Sequence, residues 1–210
     1  MKEVTIVDYG VGNLKSVANA FKSLNCKVGL AQNAKNILSS DYLIFPGVGA
    51  FHNAMEELRQ RELIDAIKEF NSLERPFLGI CLGLQLLFEN SCEFGNHVGL
   101  SLLKGSIKEI PSQGSEGLTH KIPHIGWNNI INQSPNLHPI LKGLPQRPFF
   151  YFVHSFMAVP ENSSDIIAKT NYNGIQIPAI AGRNNFLATQ FHPEKSGSIG
   201  LKVLSNFLKM

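Results

Sequence analysis

The sequence predicts an α/β protein in a single domain, residues 1–210: a doubly wound, mostly parallel sheet with flanking helices and an antiparallel extension. Two observations carry this prediction. As far as about Gly95, short apolar runs rich in β-branched residues alternate with stretches of helical period. Strands that are apolar throughout need both faces covered, and right-handed crossovers place the helices there. Beyond Gly95 the rhythm changes to short strands broken by Gly, Pro and Asn, as in an antiparallel extension. Ligands in such folds sit beyond the C-terminal ends of the parallel strands.

The elements follow in order. Residues 4–9 form a compact strand ended by Gly10, and from Asn13 the residues Leu14, Val17, Ala18, Phe21 and Leu24 recur at helical spacing. A second strand, 42–45, leads through Pro-Gly-Val-Gly into one helix carrying Met55, Leu58, Leu63, Ile64, Ile67 and Phe70. A third, 76–80, runs into Cys81 and a helix over about 84–89. The later strands include 106–110, 149–153, 166–169 and 186–191, all in the same sheet, and a last helix covers about 198–209.

Composition narrows the function. With 43% hydrophobic and 17% charged residues, the chain is ordinary globular material with enough length for one well-buried core. Its 19 basic and 16 acidic residues are dispersed, with no basic run to track a phosphate backbone, so no nucleic acid partner is expected. No stretch of eighteen apolar residues occurs, and the start has no leader-like pattern, so no membrane association or export is expected. Three cysteines without a CxxC pair suggest neither a disulfide framework nor a metal cluster, and fit a reducing cytoplasm.

Gly79-Ile80-Cys81-Leu82-Gly83 follows an apolar strand and opens a helix, the setting of a nucleophile elbow with Cys in place of Ser. So tight a turn forces its central residue toward an unfavourable backbone conformation, and its neighbours must lack a Cβ for the chain to pass. The Leu82 N–H then faces any oxyanion formed at Cys81. Cys26 and Cys92 read instead as small buried hydrophobes.

A thiol that attacks an amide needs a partner to protonate the departing nitrogen, and His suits that role at neutral pH. Among seven histidines, His192 ends an apolar strand that Pro193 prevents from continuing, and Glu194 stands two residues on. In an extended segment that spacing puts both side chains on one side, where a carboxylate can hold the imidazole. His52, His97, His120 and His138 read as solvated, whereas His124 and His154 are not so easily dismissed. The glycines of Pro46-Gly47-Val48-Gly49 expose backbone amides that could face an anion. Gly10-Val11-Gly12-Asn13 lacks the third glycine of a dinucleotide fingerprint, and nucleotide binding is rejected there.

PGVGAF at 46–51, GICLGLQLLFE at 79–89 and QFHPEKS at 190–196 together resemble, in the right order, the class I or triad glutamine amidotransferases. DYGVGNLKSV at 8–17 and KIPHIGWN at 121–128 extend the resemblance to a subgroup, the glutaminase subunits of imidazole glycerol phosphate synthase. The resemblance implies that Cys81 is the nucleophile, His192 the general acid and base, and Glu194 the orienting carboxylate. It implies an oxyanion hole from the Val48 and Leu82 amides, and substrate contacts from Gly49, Gln85, Glu93, Ser155 and Phe156.

The implied substrate is L-glutamine, hydrolysed through a γ-glutamyl thioester without a metal or organic cofactor. The implied partner is a (β/α)8-barrel cyclase subunit, which receives the ammonia and closes an imidazole ring in histidine biosynthesis. Asn13, Trp127, Tyr151 and Arg183 would then lie along the partner interface and ammonia passage. One departure is that Arg183 stands where this subgroup usually carries Lys. Paralogues that aminate a sugar nucleotide are the enzymatic alternative, and a scaffold that has lost its chemistry is the non-enzymatic one.

Overall fold

The computed structural model describes residues 1–117, 119–133 and 136–210. The chain opens with β1 (Glu3–Val7) and α1 (Leu14–Ser23), where the Asn13 side chain accepts the Ser16 N–H at 3.3 Å and so satisfies one orphan donor of the helix. Then come β2 (Lys27–Ala31), α2 (Ala34–Leu38), β3 (Tyr42–Gly47), α3 (Phe51–Gln60), α4 (Ile64–Ser72), β4 (Phe77–Cys81) and α5 (Leu82–Gln85). The second half contains β5 (Phe88–Ser91), β6 (His97–Val98), β7 (Leu103–Glu109), β8 (His124–Asn132), β9 (Phe149–His154), β10 (Phe156–Pro160), β11 (Ile166–Tyr172), β12 (Ile175–Arg183), β13 (Phe186–Thr189) and α6 (Gly197–Phe207).

Among the described residues, nine strands form the main sheet in the order β2-β1-β3-β4-β13-β12-β11-β8-β9. The first five are mutually parallel, and β12, β11, β8 and β9 extend them in antiparallel fashion. Alternation along the central strands feeds two cores. Phe45 and Phe77 point to the face covered by α3 and α4, through Leu58, Ile67 and Phe70. Ile44 and Leu78 point to the opposite face, with Phe21 of α1 and Phe207 of α6.

Several expectations are corrected. The 106–110 segment does not extend the main sheet: β10, β7, β5 and β6 make a separate four-stranded sheet. The helix expected after Pro-Gly-Val-Gly is two helices, interrupted at Glu62, whose φ is +57°. The helix expected over 84–89 stops at Gln85, and the fully buried run Leu86-Leu87-Phe88 continues into β5. Cys92 is exposed rather than buried. The β2–α2 unit escaped notice because β2 is an edge strand with one buried residue, Ala31, and α2 buries only Ile37.

β4 lies between β3 and β13, so the turn after it has no lateral freedom. A Cβ on Gly83 would lie 1.9 Å from the Phe45 carbonyl oxygen, and one on Gly79 would meet the Ala188 Cβ at 2.9 Å. Neither clash is relieved by a side-chain rotation: the first is with backbone, and the second is with a methyl fixed to β13 and with the Gly83 backbone carbon and oxygen, both at 3.1 Å. Gly83→Ala is therefore expected to lower unfolding free energy by about 3 kcal/mol in urea denaturation, and the less crowded Gly79→Ala by about 2 kcal/mol.

Candidate active site

Cys81 ends β4 with φ +55° and ψ −109°, a conformation costly to a residue bearing a Cβ and tolerated where the surroundings over-determine it. Leu82 follows at the first position of α5 and lines the same cleft as Cys81. Sγ lies 3.9 Å from both the Val153 carbonyl oxygen of β9 and the Gln190 Nε2.

His192 comes from the far side of the cleft, just beyond β13. Its N–H donates to the Tyr151 carbonyl at 3.0 Å, and Ser196 Oγ donates to the His192 carbonyl at 2.6 Å while accepting the Tyr151 N–H at 3.0 Å. These bonds fasten the His192 turn to β9. Nδ1–H donates to Glu194 Oε1 at 2.8 Å, and both side chains are 2% exposed. The two share a side because Pro193–Lys195 is a tight 3-10 turn, which replaces the extended alternation expected from the spacing.

Burial pushes the His192 pKa down, but pairing with the Cys81 thiol and with Glu194 outweighs it and raises the pKa to about 9. Nε2 is buried without a hydrogen bond of ordinary geometry, so it remains available to exchange a proton with the sulfur or with an atom bound to it.

Cys81 and His192 line a cleft of about 260 Å³ that also contains Val48, Gly49, Leu82, Gln85, Glu93, Ser155 and Phe156, so the structure gathers the expected oxyanion and substrate residues around the thiol. Gly47 keeps the donor loop near it: a Cβ there would meet the Tyr9 hydroxyl at 2.5 Å and the Leu82 Cβ at 3.0 Å. Glu93 is 9% exposed and accepts the Phe51 N–H at 2.6 Å, which ties the cleft to the start of α3. Gln85 Nε2 donates to the Phe156 carbonyl at 3.1 Å and to Gln190 Oε1 at 3.2 Å.

Gln190, fully buried, and the wall residues Pro123, Val153 and His154 were not singled out for the cleft from sequence. Gln190 could have been found, because a polar side chain inside an otherwise apolar strand needs a partner. Among the described residues, no group of three or more His, Cys, Asp or Glu side chains is placed to hold a metal ion. No helix among them is long and apolar enough to cross a membrane.

Of the residues expected at an interface, Asn13 caps α1, and Trp127 and Tyr151 are register partners on β8 and β9 with ring centroids 6.2 Å apart. Arg183 does not join them. It grips buried Asp165 with two hydrogen bonds, at 2.5 and 2.7 Å, and pairs in register with Phe186, which in turn aligns with Phe77 at the start of β4. Cys81 is four residues further along that strand, about 13 Å away. The Lys-to-Arg departure thus has a local explanation in the forked contact with Asp165.

The family model for class-I glutamine amidotransferases matches residues 5–210, and the chain belongs to that family. Among its relatives is the imidazole glycerol phosphate synthase subunit HisH 1 of Legionella pneumophila (strain Paris), 47% identical over 100% of both chains. The imidazole glycerol phosphate synthase subunit HisH of Sulfurimonas denitrificans is 45% identical over 98% of this chain and 97% of its own. In fold, the structure of PurLQS from Thermotoga maritima superposes with a TM-score of 0.72 at 16% identity, covering 99% of this chain and 98% of that one.

The raised His192 pKa has a measurable consequence. Because the folded value exceeds the ordinary 6.5, the stabilisation is complete below about pH 6.5 and is lost as pH rises through about 9. The urea midpoint of the native chain is expected to fall over that window more steeply than that of Cys81→Ala, which removes one of the two partners. Parallel pH profiles for the two proteins would show that Cys81 does not stabilise the imidazolium.

Proposed function

We propose that the chain is the glutaminase subunit of an imidazole glycerol phosphate synthase of histidine biosynthesis. It hydrolyses L-glutamine to glutamate and ammonia and passes the ammonia to a (β/α)8-barrel cyclase subunit in a heterodimer. The observation that carries this reading is a strained elbow cysteine sharing one cleft with a Glu-held histidine, in a chain 47% identical along its whole length to a HisH subunit.

In the proposed mechanism, the raised His192 pKa leaves Nε2 holding the proton that Cys81 gives up, and the thiolate attacks the side-chain amide carbon of glutamine while the Val48 and Leu82 amides stabilise the oxyanion. His192 returns the proton to the departing nitrogen, ammonia leaves, and a γ-glutamyl thioester remains. Water, deprotonated by the same imidazole, then releases glutamate. Glu194 holds the Nδ1 proton throughout and favours the imidazolium formed in each half-reaction. The chemistry needs a reduced thiol, which suits the cytoplasm.

We assign partner docking to the outer face of β8 and β9, where Ile125, Trp127 and Phe149 are 58%, 57% and 52% exposed, together with Tyr151 and Asn13. Exposed Trp and Tyr are frequent interface anchors. Trp127→Ala is expected to weaken cyclase binding by about 2 kcal/mol in calorimetry; unchanged affinity would move the docking surface elsewhere.

The decisive test is release of glutamate and ammonia by the chain alone and with the cyclase, comparing wild type with Cys81→Ala. Activity that requires Cys81 and rises with cyclase and its ribonucleotide ligand is expected. Cys81-dependent activity indifferent to that ligand would favour the sugar-amination paralogue, and no activity under either condition would leave a scaffold.

A further inference from the structure

Behind the cleft wall runs a chain of buried hydrogen bonds that the triad chemistry leaves unused. His124 of β8 and His154 of β9 are register partners, 3% and 6% exposed. His124 Nδ1 lies 3.0 Å from His154 Nε2, and His154 Nδ1 lies 2.8 Å from the Phe156 carbonyl oxygen. A carbonyl can only accept, so His154 carries its proton on Nδ1. Its Nε2 must then accept if the ring is neutral, which places the His124 proton on Nδ1 as well. The remaining lone pair, on His124 Nε2, faces the Asn128 amide nitrogen at 3.4 Å.

The chain continues on the other side of Phe156. Its carbonyl also receives Gln85 Nε2, which donates in addition to Gln190 Oε1, and Gln190 Nε2 reaches the Cys81 sulfur at 3.9 Å. A fixed proton direction in the histidine pair therefore bears on the orientation of a substrate-cleft side chain and, through Gln190, on the nucleophile.

The surroundings keep both rings neutral. Burial drives His154 down to about 3, with His124 and His192 adding to the effect and the Phe156 carbonyl only partly opposing it. Burial, and then His120, lowers His124 to about 4. Its ring stacks on Phe152 and on Tyr172, with centroids 4.9 and 4.1 Å away.

We propose that His124 and His154 are positioning residues for glutamine: a one-directional relay that fixes the Phe156 carbonyl and, through it, Gln85 and the adjoining Ser155–Phe156 wall of the cleft. The kinetic part of this proposal rests on the glutaminase reading; the proton arrangement does not.

Two measurements test it. Long-range nitrogen–proton NMR correlations on the full chain should show both rings neutral with the proton on Nδ1 at about pH 7 and still neutral at about pH 5. An Nε2–H form or a protonated ring at about pH 7 would overturn the relay. In glutamine hydrolysis with the cyclase present, His154→Leu should raise KM about tenfold while kcat changes less than threefold, as about 1.4 kcal/mol of lost positioning requires. His154→Asn puts an amide N–H where Nδ1 was and should restore KM to within about threefold. His124→Phe, which keeps the stacking but removes the donor, should raise KM in the same direction.

A Leu variant with native KM, or an Asn variant no better than Leu, would reduce the pair to packing. If the wild type released no ammonia at all, the glutaminase reading would fall, and the NMR arm would still decide the relay.

Discussion

The organisation of this molecule depends on one steric constraint: the backbone around Cys81 must turn from a central strand into a helix in the space between β3 and β13. The turn holds Cys81 at φ +55° and brings Gly83 so close to the Phe45 carbonyl that any side chain there would strike it. A non-glycine residue in that conformation costs of order 1–3 kcal/mol, which the packed layers on both faces of the sheet must offset. The strained turn leaves Cys81 at the edge of one core, where it also lines the cleft. Leu82, Val48 and the thiol accordingly line one cleft.

Several buried polar groups around that cleft are held by one another. Ser196 ties the His192 carbonyl to β9, Glu194 holds Nδ1, and Glu93 accepts the first amide of α3. Such networks rigidify a site when every member is satisfied. Among the described residues, His192 Nε2 and Glu194 Oε2 are buried without a hydrogen bond of ordinary geometry, and Nε2 pairs with the Cys81 sulfur, the atom with which it would exchange a proton. β8 and β9 contribute on both faces, with the inner residues His124 and His154 buried at the cleft wall and, on the outer face, Trp127 exposed beside the half-buried Tyr151.

Much of this was legible in the linear chain, element by element. The elbow could be read because its steric demand is local, with two glycines placed two residues either side of a cysteine after an apolar run. His192 and Glu194 could be paired by spacing, although the geometry joining them is a tight turn instead of an extended strand. β2 and α2 were missed because an edge strand and a five-residue helix bury too little to leave a periodic signal. The early end of α5 was missed because Leu86, Leu87 and Phe88 are buried from every side, and an apolar run carries no period to separate helix from strand.

The sequence by itself determined what is local: the parallel βα units, the strained elbow, and the pairing of His192 with Glu194. Those features follow from the sterics of glycine and proline and from side-chain period, which act over a few neighbours. Only the tertiary structure decided which strands left the main sheet for a second one, that Arg183 belongs with Asp165 at the far end of β12, and that Gln190, His124 and His154 link the cleft to its wall. Those contacts join residues far apart in the chain. Their partners are selected by packing and by the cost of burying an unpaired polar group, neither of which leaves a mark at any single position.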